Sequence, residues 1–392
     1  MSAPRPPLPR TVVILGWVSY FADVGSEMAY PVLPLFLAGP LQAPKIALGL
    51  VEGAAQLLVS VSTAWSGVRS DTTRRVPFVR VGYALPALGR GIVALATAWP
   101  WVLSGRLVDR LGKGLRTSPR DALIGDAVEP GERGHAFGFH RSMDNAGSFT
   151  GVLIGVALLW WLGASDERAM RWTIGVSAVL GLAAVVLTFL LRESPRPPKP
   201  RSADAGGELP RAYWRGLVVL VIFALANSSD TFLLLRGADF GLRPWQVALS
   251  YAGFAFLMAL LAWPLGRLSD RIGRWPLITA GVATYALSYA GFASASNVPQ
   301  YLACFALYGV SSSCVDGVQR ALVVDHVSPH SRGKGLGIMH ASLGVASLAG
   351  SVAAGALWDR YGAPAAFWLG AALALVALVA IALLRQARSP RP

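Results

Sequence analysis

"GRLSDRIGRW", residues 266–275, packs four charges and two glycines between two long apolar runs. "GVRSDTTRRV", residues 67–76, stands in the same setting 199 positions earlier. The same shift carries Gly67 to Gly266, Asp71 to Asp270, Arg75 to Arg274 and Pro77 to Pro276. Further along it carries Ala122 to Ala321, Leu123 to Leu322, Asp126 to Asp325, Pro130 to Pro329, Arg133 to Arg332, Gly134 to Gly333 and Gly138 to Gly337. One constant offset held over such a stretch indicates two parallel repeats, an arrangement from which many transporters are built.

The flanking runs define the solvent. Of the 392 residues 54% are hydrophobic and 14% charged, with a mean hydropathy of +0.50. A soluble domain needs more charge to cover its surface. The 42 glycines and 13 tryptophans suit membrane helices, which pack closely through Gly and anchor at interfaces through Trp. The net charge of +14 is spread over short gaps and forms no basic stripe, so a nucleic-acid partner is not expected. Cys304 and Cys314 fall in one apolar run; on one helix they stand about 15 Å apart, too far for a disulfide.

About 20 apolar residues cross a bilayer. Twelve runs qualify: 11–38, 46–67, 78–98, 101–124, 136–161, 171–191, 214–236, 246–266, 276–295, 299–322, 336–357 and 364–384, with the fourth, fifth and tenth the least apolar. The expected fold is therefore an all-α membrane protein of two pseudo-symmetric six-helix bundles, 1–191 and 214–392, joined by a Pro-rich, charged linker over 192–213. No cleavable signal peptide is expected in "MSAPRPPLPR". Arg5, Arg10, Arg69, Arg74, Arg80, Arg133, Lys334, Arg385 and the linker cations crowd one side, whereas Lys45, Arg168, Arg171, Arg243 and Arg360 are scattered on the other. The positive-inside rule then places both termini in the cytoplasm, across a cell (inner) membrane.

This six-plus-six plan with its duplicated loop resembles the major facilitator superfamily, whose loop signature is roughly G-x-x-x-D-R-x-G-R-[RK]. The copy with Gly266, Asp270, Arg271, Gly273 and Arg274 is close, and Trp275 replaces the last basic residue. The copy with Gly67, Asp71 and Arg75 has Thr72 and Thr73 in its middle. A carboxylate at the end of one helix beside the N-terminus of another is favoured by the helix dipole. Arg75 and Arg274 have matching acids in Asp126 and Asp325, which predicts one ion pair per repeat. In the family such latches hold one face of the transporter shut; the plainer alternative is that these charges only set topology.

The fourth run holds "RLVDRLGKGLRTSPRD", residues 106–121. Arg106, Asp109, Arg110, Lys113, Thr117 and Arg120 recur every three or four residues and share a helical face. Lipid does not tolerate a cationic stripe, so that face must meet protein or water. Arg106 opens a stretch similar to the family's helix 4 motif, which implies proton coupling or substrate contact. Counter-charges are expected from Asp23 and Glu27 on helix 1, with Tyr30 a turn beyond, and from His140 and Asp144 on helix 5, near Arg141 and Asn145. Glu52 and Gln56 on helix 2 complete the polar set of the first half. The second half is less charged: Asn227 and Asp230 on helix 7, and Asp316 and Gln319 on helix 10, stand in a more apolar wall. Asp23 or Glu27 is the expected proton carrier, with Asp230 in reserve and a static ionic lock as the alternative.

Gly147, Gly151 and Gly155 on helix 5 look like the family's exporter motif without its proline, and close packing accounts for them. The five histidines show no metal-ligand spacing, and there is no phosphate-binding loop. No metal, cofactor or catalytic residue is expected. The sequence thus points to a monomeric secondary transporter of a small anionic or zwitterionic solute, driven by protons through alternating access. A membrane sensor or assembly factor and a lipid flippase of the same fold are its rivals.

Overall fold

The structure is a computed structural model that describes residues 8–70, 72–129, 132–163, 167–192, 209–327 and 332–386. Among these residues the regular elements are fourteen α-helices and one short 3-10 turn. They run α1 (Arg10–Ala29), α2 (Leu33–Ala38), α3 (Lys45–Ser70), α4 (Arg75–Ala94), α5 (Trp99–Asp126), α6 (Arg133–Leu162) and α7 (Glu167–Thr188). The second series is α8 (Arg211–Ala226), α9 (Asp230–Asp239), α10 (Pro244–Ile272), α11 (Arg274–Ser294), α12 (Val298–His326), α13 (Arg332–Tyr361) and α14 (Ala363–Gln386). Helices α1 and α2 make one span, and so do α8 and α9, giving the twelve crossings of an all-α membrane fold.

Nine of these crossings are apolar enough by length and composition alone; α4, α5 and α12 are the three that are not. The sequence reading named helix 5 in place of α4. The correction has a simple cause: α4 carries Arg75, Arg80 and Arg90, whereas the polar residues of α6 crowd its first half and leave an apolar second half. Large apolar side chains stay exposed on helical spacing, such as Val179, Leu182 and Val186 on α7, and Leu375, Val379 and Leu383 on α14. Surfaces of this kind belong in acyl chains rather than water.

The chain divides into two compact units, Met1–Val32 with Val61–Pro200, and Leu33–Ser60 with Arg201–Pro392. Within the first, α1 packs on α6 and α7, and α4 packs on α5 and α7. Within the second, α8 packs on α13 and α14, and α11 packs on α12 and α14. The pairing scheme repeats, as a duplicated sequence requires.

Glycines bring the helices of the first unit into backbone contact. A Cβ on Gly105 of α5 would lie 2.6 Å from the carbonyl oxygen of Gly89 on α4, and one on Gly112 would lie 2.5 Å from Cδ of Pro86. The glycines at 147, 151 and 155 ride on the carbonyls of Tyr20, Val24 and Met28 of α1, which repeat at the same four-residue spacing. Those glycines are packing residues.

Both breaks in the helical spans have local causes. After α1, "YPV" (30–32) forms the 3-10 turn, since Pro31 and Pro34 lack the N–H that a continuous helix would use. After α8 the helix stops without proline: Asn227 takes ψ 80°, and Ser229 restarts it by capping the Thr231 N–H. The break itself lies 197 positions beyond its counterpart, with Ala226 against Ala29 and Asp230 against Leu33. Interrupted helices at corresponding places in two repeats are a recurring pointer to transporter binding sites.

Candidate functional site

In the first unit the charged face of α5 turns into protein. Arg106 and Asp109 are 7% and 4% exposed, so neither meets lipid. Arg106 Nη1 donates to Asp109 Oδ2 at 3.1 Å, one turn away on the same helix. Its guanidinium also stands 6.0 Å from the Tyr30 ring. Arg110 Nε approaches the same Asp109 oxygen at 3.9 Å. The sequence reading sought the partner of Arg106 on helices 1 and 5. One partner comes from α5 itself, as an i,i+3 neighbour that needs no second helix to bring it into reach.

Arg116 faces α1. Its Nη2 lies 3.9 Å from Asp23 Oδ1, and its guanidinium stacks 4.1 Å over the Tyr83 ring. Lys113 is exposed and has both Asp23 and Glu27 as electrostatic neighbours. His140 on α6 is buried between two partners: Nε2 is 2.8 Å from Ser19 Oγ, and Nδ1 is 3.5 Å from Asp144 Oδ2. Ser19 Oγ in turn contacts Tyr83 OH at 2.9 Å. A polar chain thus runs Asp144–His140–Ser19–Tyr83 and ends under Arg116. Arg141, 4.0 Å from Asp144, is exposed, as is Asn145.

The sequence reading missed Arg90 and Arg116, both 5% exposed. A signal existed for each. Arg116 follows Asp109 by seven and precedes Arg120 by four, which places it on the edge of the charged face. Arg90 stands alone in an apolar run, and a lone intramembrane cation is a functional-site hypothesis by default.

In the second unit the polar groups gather at the break between α8 and α9. Tyr308 OH donates to Asp230 Oδ1 and, at 3.4 Å, to Asn227 Oδ1. Tyr285 OH donates to the Ala226 carbonyl at 2.7 Å, and Tyr289 OH meets Ser228 Oγ at 3.2 Å. The rings of Tyr285 and Tyr289 stack 4.1 Å apart, and Tyr308 stacks on Phe254 at 5.3 Å. The wall expected to be apolar is therefore aromatic, and its hydroxyls satisfy backbone and side-chain groups that the broken helix exposes. Asp316 is exposed and Gln319 half-buried on α12. Glu52 is buried and Gln56 exposed on the part of α3 that belongs to this unit.

The charges of the repeated loop pair within each repeat. Arg75 Nη1 bonds Asp126 Oδ2. Arg274 Nε bonds Asp325 Oδ2 at 3.0 Å, and its Nη1 reaches both Asp270 and Ser269 Oγ. Gly273 joins α10 to α11 in a single residue at φ 92°, a left-handed conformation that explains the glycine of the motif. Arg271 is exposed; Ser269 Oγ donates to the Gly266 carbonyl at 2.7 Å. Gly67 lies against Ser118 of α5, while Asp71 lies outside the described residues.

Twelve crossings with ionised groups sealed among them define a membrane transporter, since charges so placed serve solutes and ions rather than lipid. The Major Facilitator Superfamily profile matches residues 15–236 and 216–392, and the chain belongs to that family. It is accordingly a multi-pass inner-membrane transporter of a small molecule and not an enzyme. It is 29% identical to an uncharacterized MFS-type transporter of Methanocaldococcus jannaschii over 94% of this chain and 93% of the relative. It is 26% identical to the multidrug resistance protein MdtH of Cronobacter sakazakii over 86% and 83%. Among solved structures, a mutant of the nucleoside transporter NupG matches with TM-score 0.80 at 12% identity, over 96% of this chain and 100% of that one. A bacterial homolog of the human lysosomal transporter Spinster matches with TM-score 0.79 at 15% identity, over 97% and 98%.

Proposed function

We propose that the protein moves a small anionic or zwitterionic solute by alternating access and couples that movement to protons. It does so as a monomer of two six-helix bundles, 1–191 and 214–392, with both termini in the cytoplasm. One observation carries the reading: the buried ionic cluster of α1, α5 and α6, in which Asp23 holds Arg116 at 3.9 Å rather than in a hydrogen bond. A pair this loose is exchangeable, because a proton on the carboxylate or a rival anion at the guanidinium separates it at little cost. Asp23 is the proton carrier in this scheme. Glu27 and Lys113 flank it, and Asp230 serves the second unit under Tyr308. Arg75–Asp126 and Arg274–Asp325 act as latches that break when the cytoplasmic side opens. Similarity to proteins named for multidrug resistance supports export.

The test is flux in proteoliposomes with an imposed pH gradient, following candidate carboxylates and phosphate esters. Native protein should concentrate solute against its gradient. Asp23→Asn should retain counterflow exchange but lose the response to pH. Uptake that moves no protons and ignores the gradient removes the coupling.

A further inference from the structure

His140 of α6 reaches two other helices of the first unit through one row of contacts. Its Nε2 meets Ser19 Oγ of α1 at 2.8 Å, and that hydroxyl meets Tyr83 OH of α4 at 2.9 Å. Its Nδ1 faces Asp144 Oδ2 at 3.5 Å, the outer limit of hydrogen-bond reach. Asp144 Oδ1 is buried without a hydrogen-bond partner, so this carboxyl keeps one oxygen uncommitted. At the far end the Tyr83 ring lies 4.1 Å under the Arg116 guanidinium, which stands 3.9 Å from Asp23.

A histidine that only packs needs one donor and one acceptor satisfied. This row has more: hydroxyl, neutral imidazole and hydroxyl can each donate and accept, so every bond in it can reverse. The order hydroxyl, imidazole, carboxylate is the one that moves a proton in serine hydrolases. Ser19 is buried, so its hydroxyl is occupied by His140 and Tyr83 rather than by a substrate. The same contacts then serve proton transfer alone. The charged groups that act on the ring are Arg116, Arg120 and Asp121 of α5, and Arg141 beside Asp144 on α6 itself. Helices α1 and α4 present the two hydroxyls, with Asp23 one turn beyond Ser19. Helix α7 carries Glu167, Arg168 and Arg171 at its other end.

We infer that His140 is a proton-relay residue that joins Asp144 to the Arg116–Asp23 pair through Ser19 and Tyr83. The transfer starts with one proton on Asp144 Oδ2 and one on His140 Nε2. The Asp144 O–H bond breaks as Nδ1–H forms, and the Nε2 proton passes to Ser19 Oγ. Ser19 gives its own hydroxyl proton to Tyr83, and Tyr83 gives its own to one bridging water, which delivers a proton to the Asp23 carboxylate. Asp144 ends as a carboxylate and Asp23 as a carboxylic acid. His140 ends as the neutral tautomer with hydrogen on Nδ1, and the groups between keep their charge. This inference rests on the transport reading above and names the route by which its proton reaches Asp23.

The test uses the full chain in lipid vesicles with isotope-labelled histidine, and follows the ring-nitrogen chemical shifts as pH falls. The His140 signals are those that vanish in His140→Gln. A carboxylate at Asp144 accepts from Nδ1–H, whereas a protonated Asp144 donates to Nδ1 and sends the hydrogen to Nε2. Native protein should therefore switch from one neutral tautomer to the other as pH falls. Asp144→Asn does not titrate and should lose the switch. Ser19→Ala removes the partner of Nε2 and should hold the hydrogen on Nδ1. Under a pH gradient, His140→Gln should slow flux of the carboxylates or phosphate esters by about a hundredfold, the usual worth of a positioned proton-transfer group. The relay is overturned if the native ring keeps one tautomer or becomes imidazolium, if either the Asn or the Ala variant switches as native protein does, or if His140→Gln keeps the native rate. A tautomer switch in a protein that moves no solute would sink the transport reading and leave the relay. A fixed ring beside proton-driven flux would do the reverse.

Discussion

The carboxylate of Asp359 on α13 closes over the N-terminus of α3, where Oδ1 accepts from the N–H of Lys45 at 2.8 Å and Oδ2 from that of Ile46 at 2.9 Å. Two otherwise unfilled donors and the positive end of a helix dipole are met by one side chain. Below this cap the two helices run in backbone contact. Gly355 sits on Lys45 and Ile46, Gly49 on the Ser351 carbonyl, and Gly53 on Leu348. Asp359→Ala should lower stability by about 1 kcal/mol, the usual worth of a helix cap, and Asp359→Asn by less. Gly49→Leu should cost more than either, since its side chain would enter the Ser351 backbone rather than a space that can relax. Thermal melting of purified variants checks the order. A melting temperature for Asp359→Ala equal to native would show that water replaces the cap without loss.

Tyrosine hydroxyls hold the break between α8 and α9, and their bonds differ in length. Tyr285 is buried and donates to the Ala226 carbonyl at 2.7 Å, whereas Tyr289 reaches Ser228 at 3.2 Å and 3.5 Å. Tyr285→Phe removes the shorter of two bonds to the Ala226 carbonyl, which keeps the Ser228 N–H at 3.0 Å, and should cost about 0.5–1.5 kcal/mol. Tyr289→Phe, which gives up a longer contact, should cost less. Tyr308→Phe frees Asp230 and Asn227 from the same hydroxyl and should shift the pH dependence of flux more than it shifts melting. Equal losses of stability in all three variants would mean that the hydroxyls do not staple the break.

Hydropathy reads one variable, and for that reason it located the spans within a few residues of their helical ends. The repeat offset was equally legible, because the loop charges survive in both copies and recur 51 positions before their acids, Arg75 to Asp126 and Arg274 to Asp325. Partner choice inside the bundle was not legible. Arg106 and Asp109 are i,i+3 neighbours, yet hydrophobic pattern carries no rotamer and does not show that this pair closes on its own helix. Arg90 was lost in an apolar run. Tyr285, Tyr289 and Tyr308 counted as apolar because a hydropathy scale does not see which hydroxyl will meet a broken helix. That break has no proline and shows itself only as the polar run "NSSD", residues 227–230.

Arg274 serves three acceptors and Asp325 is only one of them. Its Nε meets Asp325, and its Nη1 meets Asp270 and Ser269 Oγ. The Asp325 side chain is 49% exposed, where ion pairs contribute about 0–1 kcal/mol. Asp325→Asn should therefore barely change melting, while Arg274→Gln, which gives up the contacts to Asp325, Asp270 and Ser269 together, should lower it more. The Arg274→Gln/Asp325→Asn double variant should lose less than the two single losses added together, with a coupling below about 1 kcal/mol. Transport should respond more strongly than melting. A latch that alternates between closed and open contributes its energy to one conformation only, so weakening it moves the balance of states without unfolding either. In vesicles Asp325→Asn should change the flux rate severalfold, and the swapped pair Arg274→Asp/Asp325→Arg should recover part of the native rate. The recovery stays partial because Asp270 and Ser269 then face a carboxylate in place of the guanidinium. Native flux in Asp325→Asn would leave these charges as topology signals, and the rate-setting contact would have to be sought elsewhere in the fold.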